Sequence, residues 1–323
     1  MIDQSTVAQV FETAVGMAAR APSIHNTQPW RWRLDDDVIN LFADPERHLP
    51  AADPDSRGLV MSCGAALHHL RVALAVLGWR SRVDYLPDPA DPNHLAAVTA
   101  TPHAPEQGDI ELAAAIVHRQ SDRRRFGPRL VTQSHMRRMS AVAPRFGAAA
   151  RQVPASLRGA LAEASHRAAD RHALDPSYQL EMSRWSGRHG SPDGVPAASA
   201  PAARTADEIM LRAFANPELG DVDTEADSSE WLVICTPSDD RRAHLRAGEA
   251  ASALLLTASS LTLSSCLQSE PLAMPDLAAA IRTEVLQDAA YPQAMVRVGW
   301  AAAGAGPLPL TPRRPADEVI DAS

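Results

Sequence analysis

The chain reads as an α+β protein built from two similar halves, and three observations point there. Helix-period apolar segments are interspersed with short strand-like runs along the whole sequence. Two distant stretches follow one order: small residues, a long apolar helix, then serine and a strand that ends in proline. These are GLVMSCGAALHHLRVALAVLGWRSRVDYLP, from residue 58, and HLRAGEAASALLLTASSLTLSSCLQSEP, over 244–271. Finally, 323 residues suit one large domain or two fused units better than one small core.

Taken in order, residues 5–20 form a helix, with Val7, Val10, Phe11, Ala14, Val15 and Ala18 at helical spacing and Ser5 able to cap it. Pro22 and Pro29 bias their preceding residues away from helix, so an irregular polar loop follows. Residues 30–34 and 38–42 alternate as two strands around Asp35, Asp36 and Asp37. A Pro- and Asp-rich loop over 43–57 leads to the helix of 58–78, apolar nearly all round and therefore buried. His68, His69 and Arg71 make that helix too short and too polar to span a bilayer. The adjacent histidines point about a hundred degrees apart and do not readily share one metal ion.

A strand at 82–86 closes the first half, and Pro- and Asp-rich sequence around a short apolar run fills 87–105. Helices follow at 110–118 and 156–172, then a Gly-, Pro- and Ser-rich irregular segment, a candidate lid, over 185–203. The buried strand 231–237, the second apolar helix 249–263, a last strand 296–300 and a Pro-rich tail complete the chain. The halves divide at 1–105 and 106–323.

Composition excludes several classes. Net charge of −8 argues against a nucleic-acid partner. Cys63, Cys235 and Cys266 are too scattered for a disulfide framework or a zinc site. All 31 Lys-plus-Arg residues are Arg, so there is no Schiff-base lysine and no P-loop lysine. Neither G-x-G-x-x-G nor G-x-S-x-G occurs, leaving a Rossmann nicotinamide domain and an α/β-hydrolase triad unsupported. No basic-then-apolar leader opens the sequence, and the expectation is a cytoplasmic protein without a membrane partner.

Two runs carry the chemistry. APSIHNTQPWRW, over 21–32, packs amides and tryptophans into a chain that is only 4% aromatic. HRQSDRRRF, over 118–126, sets Arg119, Ser121 and Arg123 at alternate positions, two guanidinium forks around one hydroxyl. Guanidinium matches phosphate bidentately, and serine adds a neutral donor.

APSIHNTQPW resembles the A-P-S-x-x-N-x-Q-P-W segment of the nitroreductase-like flavoproteins, and its His before Asn most resembles the Acg-type, mycobacterial group. The resemblance implies a nitroreductase-like fold whose two subunits are fused into a single-chain pseudo-dimer, monomeric in solution. It implies that Pro22, Ser23, Ile24, Asn26 and Gln28 lie against the ring of FMN, with the Asn26 amide on its polar edge. Arg119, Ser121 and Arg123 resemble the R-x-S-x-[RK] element that holds the FMN phosphate. Gln268 and Ser269 match the flavin edge, and Arg313 or Arg314 a C-terminal basic residue on the phosphate. No second N-x-Q-P-W exists, which implies one FMN site per chain. The implied activity passes hydride from NAD(P)H to a nitroaromatic, quinone or related small acceptor, without a catalytic side chain. The alternative is storage or sequestration of FMN under the lid. Nitroreductases often place a lysine at the flavin N1/O2 edge, and this chain has none to place there.

Overall fold

The computed structural model describes residues 4–35, 37–221 and 227–321. In the first half, α1 (Gln4–Ala18) buries Phe11, Ala14, Val15 and Ala18 on one face. The helix already runs at Gln4, so Ser5 lies inside it rather than ahead of it as a cap. Strands β1 (Trp30–Asp35) and β2 (Val38–Ala43) pair antiparallel as the alternation predicts, with Trp30 and Trp32 fully buried. Asp36, in the expected turn, lies outside the described residues.

Next come α2 (Arg57–Val76), β3 (Trp79–Tyr85) and β4 (His94–Pro102). The sequence reading has no strand at β4, because its apolar run is short and flanked by prolines. In the structure Leu95, Ala96 and Val98 are buried, and β4 occupies the sheet interior between β2 and β3. By length and composition α2 is apolar enough to cross a membrane, against the expectation from its histidines, but 83% of that window is buried inside the protein.

The second half opens with α3 (Gln107–His118) and α4 (Gln133–Ser140), followed by β5 (Ala149–Gln152) and α5 (Arg158–Leu174). Then come α6 (Pro176–Trp185), the short strands β6 (Ser186–Arg188) and β7 (Val195–Pro196), and β8 (Glu230–Thr236). The long α7 (Arg241–Ser260), β9 (Ser264–Gln268), α8 (Pro275–Glu284), β10 (Tyr291–Gly299) and the short α9 (Ala316–Val319) finish the chain. The sequence reading passed over α4, β5 and α6. The start of α6 is nonetheless written locally: the Asp175 carboxylate caps the N–H groups of Ser177 and Tyr178, and Pro176 takes the first turn.

The two antiparallel sheets have one topology. The first has order β1-β2-β4-β3 and the second β5-β8-β10-β9, and in each the long helix joins the second strand to the third in sequence. The long helices α2 and α7 cross at two glycines. A Cβ on Gly64 would lie 2.0 Å from the Leu245 carbonyl oxygen, and one on Gly248 would lie 2.0 Å from that of Met61. The contact is reciprocal: the glycine of each helix meets the residue three positions before the other's glycine. Any side chain there would push the backbones apart. The tail then leaves the second half. Ile320 bridges Trp32, the Asp321 N–H donates to the Trp32 carbonyl at 2.7 Å, and Arg31 pairs with the Asp321 carboxylate at 2.9 Å.

Candidate functional site

The loop after α1 is bent at three left-handed residues, His25 (φ 44°), Asn26 (φ 55°) and Gln28 (φ 51°). Such conformations cost on the order of 1 kcal/mol each outside glycine, and they persist only where surroundings over-determine them. The surroundings are visible. The Ser23 hydroxyl accepts the Gln28 N–H at 2.9 Å, and the Ser62 hydroxyl accepts that of Ile24 at 2.9 Å. The Gln28 amide, fully buried, donates to the Pro192 carbonyl at 2.8 Å and accepts the Arg314 N–H at 2.8 Å. Asn26 donates to the carbonyls of Gly194 at 3.0 Å and Pro312 at 3.2 Å. These two amides thus clamp the 185–203 segment and the tail onto the loop. That differs from the ring-edge contact expected of Asn26, because the amide protons are already used. Gln28 lines neither of the two cavities described next.

Two neighbouring cavities share Pro22, Ser23, Ser121 and Arg123 in their walls. The larger, about 120 Å³, is mainly apolar: Ile24, Met61 and Ala65 come from the first half, and Leu211, Phe214 and Leu267 from the second. Gln268, the last residue of β9, and Ser269 after it also line this cavity. The smaller, about 40 Å³, is polar and adds Asn26, Arg119, Ser199, Thr311 and Arg313.

The polar cavity concentrates cations. After α3 the chain runs extended beside β9, with Ser121 bridged to Ser265 and the Asp122 N–H donating to the Ser265 carbonyl at 2.9 Å. Alternation sends Arg119, Ser121 and Arg123 to the cavity side and Asp122 and Arg124 to the other. Arg119 is 5% exposed, its side chain makes no hydrogen bond among the described residues, and its Nε is buried without a partner. Burial, then Arg123 and Arg20, lower its guanidinium to about 10. Burial, then Arg119 and Arg20, lower that of Arg313 to about 9. Among the described residues the Arg313 donors reach carbonyls alone, those of Arg20, Thr311 and Pro312. Arg123 donates to the Ser199 carbonyl at 3.0 Å and stacks over Phe214 at 4.7 Å. Among the described residues no carboxylate pairs with Arg119, Arg123 or Arg313. Arg314 faces elsewhere, bonding the Glu318 carbonyl at 2.6 Å, and it lines neither cavity.

Such a cradle fits a phosphate. Buried cations without counter-ions are costly unless an anion joins them, and the orphaned Arg119 Nε is a donor waiting for one. The apolar cavity beside it suits a planar ring.

The 185–203 segment walls the polar cavity through Val195, Pro196 and Ser199, and none of it lines the apolar one. It is held, not loose: Arg47 pairs with Asp193 at 3.0 Å, and Trp185 packs beside Leu49, Tyr178 and Met182. Its left-handed Gly187 is backed by the Ala215 carbonyl 2.9 Å from where a Cβ would sit. The stretch that walls the apolar cavity is instead Leu211 to Phe214, which the sequence reading left undescribed.

Other residues missed from sequence are His25, Arg57, Asp53 and Arg212. Neutral His25 accepts a hydrogen bond from Arg212 at Nε2, and burial, then Arg212 and Arg123, hold its imidazole well below the usual histidine range. The Asp53 carboxylate accepts the Gly58 and Leu59 N–H groups at 2.7 and 2.8 Å, fixing the start of α2 at the cavity rim. No local motif marks Arg212. His25 stood inside the motif and was passed over.

No protein-family model matches the chain. It is 45% identical over 319 residues to a "Putative NAD(P)H nitroreductase" of Mycobacterium tuberculosis, covering 97% of this chain and 92% of that one. It is 36% identical over 333 residues to the "Putative NAD(P)H nitroreductase acg" of the same organism, covering 99% and 98%. Among solved structures it is similar to the FMN-dependent nitroreductase NfnB of Mycobacterium smegmatis in complex with NADPH. That pair is 17% identical, covers 66% of this chain and 99% of the other, and has a TM-score of 0.44.

Proposed function

Because this chain belongs to the Acg-type nitroreductase-like family, we propose that it is an FMN-binding, NAD(P)H-dependent reductase of nitroaromatic or quinone-type acceptors. The observation that carries the reading is the junction of an apolar slot with a polar pocket whose arginines pair with no carboxylate among the described residues. Arg119, Ser121, Arg123 and Arg313 would hold the phosphate, and Pro22, Ile24, Leu267 and Gln268 would flank the ring. FMN, when bound, supplies the two-electron redox chemistry. The chain's own residues bind, orient and exclude water, and no side chain is assigned as a general acid or base.

One FMN per chain follows from the single copy of each motif, and it fits a fused pair of halves. The matching strand orders and the reciprocal glycine contacts support that fusion, since a two-fold pairing makes each residue's contact recur with partners exchanged. A fused pair has its pairing surface inside, so the protein should be monomeric.

The second reading is a protein that sequesters FMN. What favours it is the clamp of Asn26, Gln28 and Arg47 on residues 192–194, which fastens the segment that walls the polar cavity. One experiment separates the readings. The purified protein is denatured to identify and count its flavin, then the native form is mixed anaerobically with NADPH and afterwards with dithionite. Bleaching by NADPH within seconds supports the reductase. Bleaching only by dithionite supports sequestration. FAD alone or failure to take up FMN sinks both, and two FMN per chain sinks the fused-pair argument.

A further inference from the structure

We propose that the Arg212 guanidinium is the binding group for the carboxylate of a small planar acceptor admitted to the apolar cavity. The inference deepens the flavin reading above and rests on it. It starts from unused donors. Arginine carries five N–H donors in a fixed fork. Among the described residues only His25 Nε2 takes a hydrogen bond from Arg212, although its side chain is just 8% exposed. Its nearest carboxylate oxygen, on Glu270, lies 3.8 Å from Nε, an ion pair beyond hydrogen-bond reach.

Glu270 is committed on its other side. His172 Nδ1 sits 2.6 Å from Oε1, and the Tyr178 hydroxyl donates to the same oxygen at 3.4 Å. The His172 ring stacks on Tyr178 with centroids 3.6 Å apart. Arg212 is therefore held by a buried carboxylate and an imidazole, and it lines the apolar cavity with its other donors unbonded among the described residues. A guanidinium oriented in this way and shielded from water is built to receive a bidentate anion.

The surroundings decide the kind of anion. Phe214 meets the His25 ring edge-to-face at 5.9 Å, and Leu211 and Ile24 complete an apolar wall that favours a flat body behind the acid group. Arg57 adds a second buried cation to the lining of this cavity. It donates to the carbonyls of Pro292 and Gln293 and pairs with no carboxylate among the described residues. Arg119 and Arg313 line only the other cavity and do not compete for the same ligand, whereas Arg123 lines both.

The test uses the flavin-loaded protein without reductant and two probes of one shape, 4-nitrobenzoate and 4-nitrobenzamide. Binding is read from the perturbed flavin absorbance and by calorimetry. The wild type should bind the benzoate about tenfold or more tighter than the amide, as expected of a charge-assisted pair out of water. Arg212→Gln should erase that preference and leave FMN content and affinity unchanged. Equal binding of both probes by the wild type overturns the proposal, as does a preference that survives Arg212→Gln. Loss of FMN with the preference intact would make Arg212 a flavin contact instead. If Arg212→Gln does not fold, Arg212→Lys keeps the charge without the fork, and should weaken benzoate about tenfold while sparing the amide. Unchanged benzoate binding in that variant also overturns it. If the wild type takes up no FMN, the flavin reading fails on that count. Calorimetry of the flavin-free protein with the same probes then still decides the role of Arg212.

Discussion

The run over 118–126 carries arginines of two opposite kinds. Arg124 meets Asp122 in a two-pronged pair, both contacts at 2.9 Å, with side chains 7% and 2% exposed. Arg125 meets Asp207 at 2.6 Å. On the other side of the same extended segment Arg119 is as deeply placed and Arg123 is half-buried, and neither pairs with a carboxylate among the described residues. The compensated pair belongs to the fold. The uncompensated pair keeps a cost that only a ligand can remove. The difference teaches that a buried arginine becomes a ligand candidate through what is missing beside it, and each prediction below can break that rule or sharpen it.

The largest expected effects fall on opposite properties. Arg119→Ala should weaken FMN binding roughly ten- to a hundredfold, the loss of one charge-assisted phosphate contact. Arg313→Ala should do the same. The flavin-free Arg119→Ala protein should melt no lower, because the change deletes a buried charge without a partner, whereas Arg313→Ala also loses bonds to three carbonyls. Arg124→Ala should reverse the pattern: it strands Asp122 and should destabilise the fold by about 3–5 kcal/mol. Flavin titration and thermal melts of the same three variants check this. Parallel losses in both measurements would erase the distinction.

Histidine sharpens the comparison, because unlike arginine it can shed its charge on burial. His25, His68 and His69 are all lowered, mainly by burial and then by nearby arginines, His68 to about 3. His68 and His69 both bond the Ser252 hydroxyl across the α2–α7 contact, at 2.8 and 2.9 Å, so they serve the helix junction. The sign follows from proton counts: below pH ~6.5 the unfolded chain binds protons that the folded histidines refuse. Stability should therefore be full above ~6.5 and fall with acidification by about 1.4 kcal/mol per pH unit for each histidine. Urea unfolding at pH 7.5 and 5.5 measures it. A flat profile would mean that these rings take up protons inside the fold.

Much of this was legible in the residues. The alternate spacing of Arg119, Ser121 and Arg123 sets two guanidinium forks around one hydroxyl, and in the structure all three line the polar cavity. The first long helix and the first hairpin stand where periodicity puts them, whereas α7 begins at Arg241, eight residues before the expected start at 249, and ends at Ser260. Strand β4 escaped because Ala-rich strands carry little β signal and tertiary pairing decides them. Arg212 escaped because nothing local sets it apart. Its role depends on His25 and Glu270, far away in sequence. For the same reason the amides of Asn26 and Gln28, distinctive as a motif, are found as clamps: their partners at 192–194 and 312–314 cannot be read from the motif itself.

The smallest expected effect tests whether an exposed pair can matter to the uncompensated site at a distance. Arg31 and Asp321 form a two-pronged contact at 3.0 and 2.9 Å, but their side chains are 50% and 31% exposed. Exposed pairs contribute about 0–1 kcal/mol and are screened by salt. Arg31→Ala should thus lower stability by less than about 1 kcal/mol. Yet Asp321 fastens the tail to β1 eight residues beyond Arg313, which lines the polar cavity. If that anchorage helps keep Arg313 in place, FMN affinity should drop by a few-fold, more than the melting shift alone implies, and the gap should shrink at high salt as the wild-type pair is screened. The backbone bond from Asp321 to Trp32 and the bridge at Ile320 remain in the variant, which bounds the loss. A variant indistinguishable from wild type in flavin titration at low salt would show that these backbone contacts alone seat the tail. The arginine in the cavity would then owe nothing to the one on the surface.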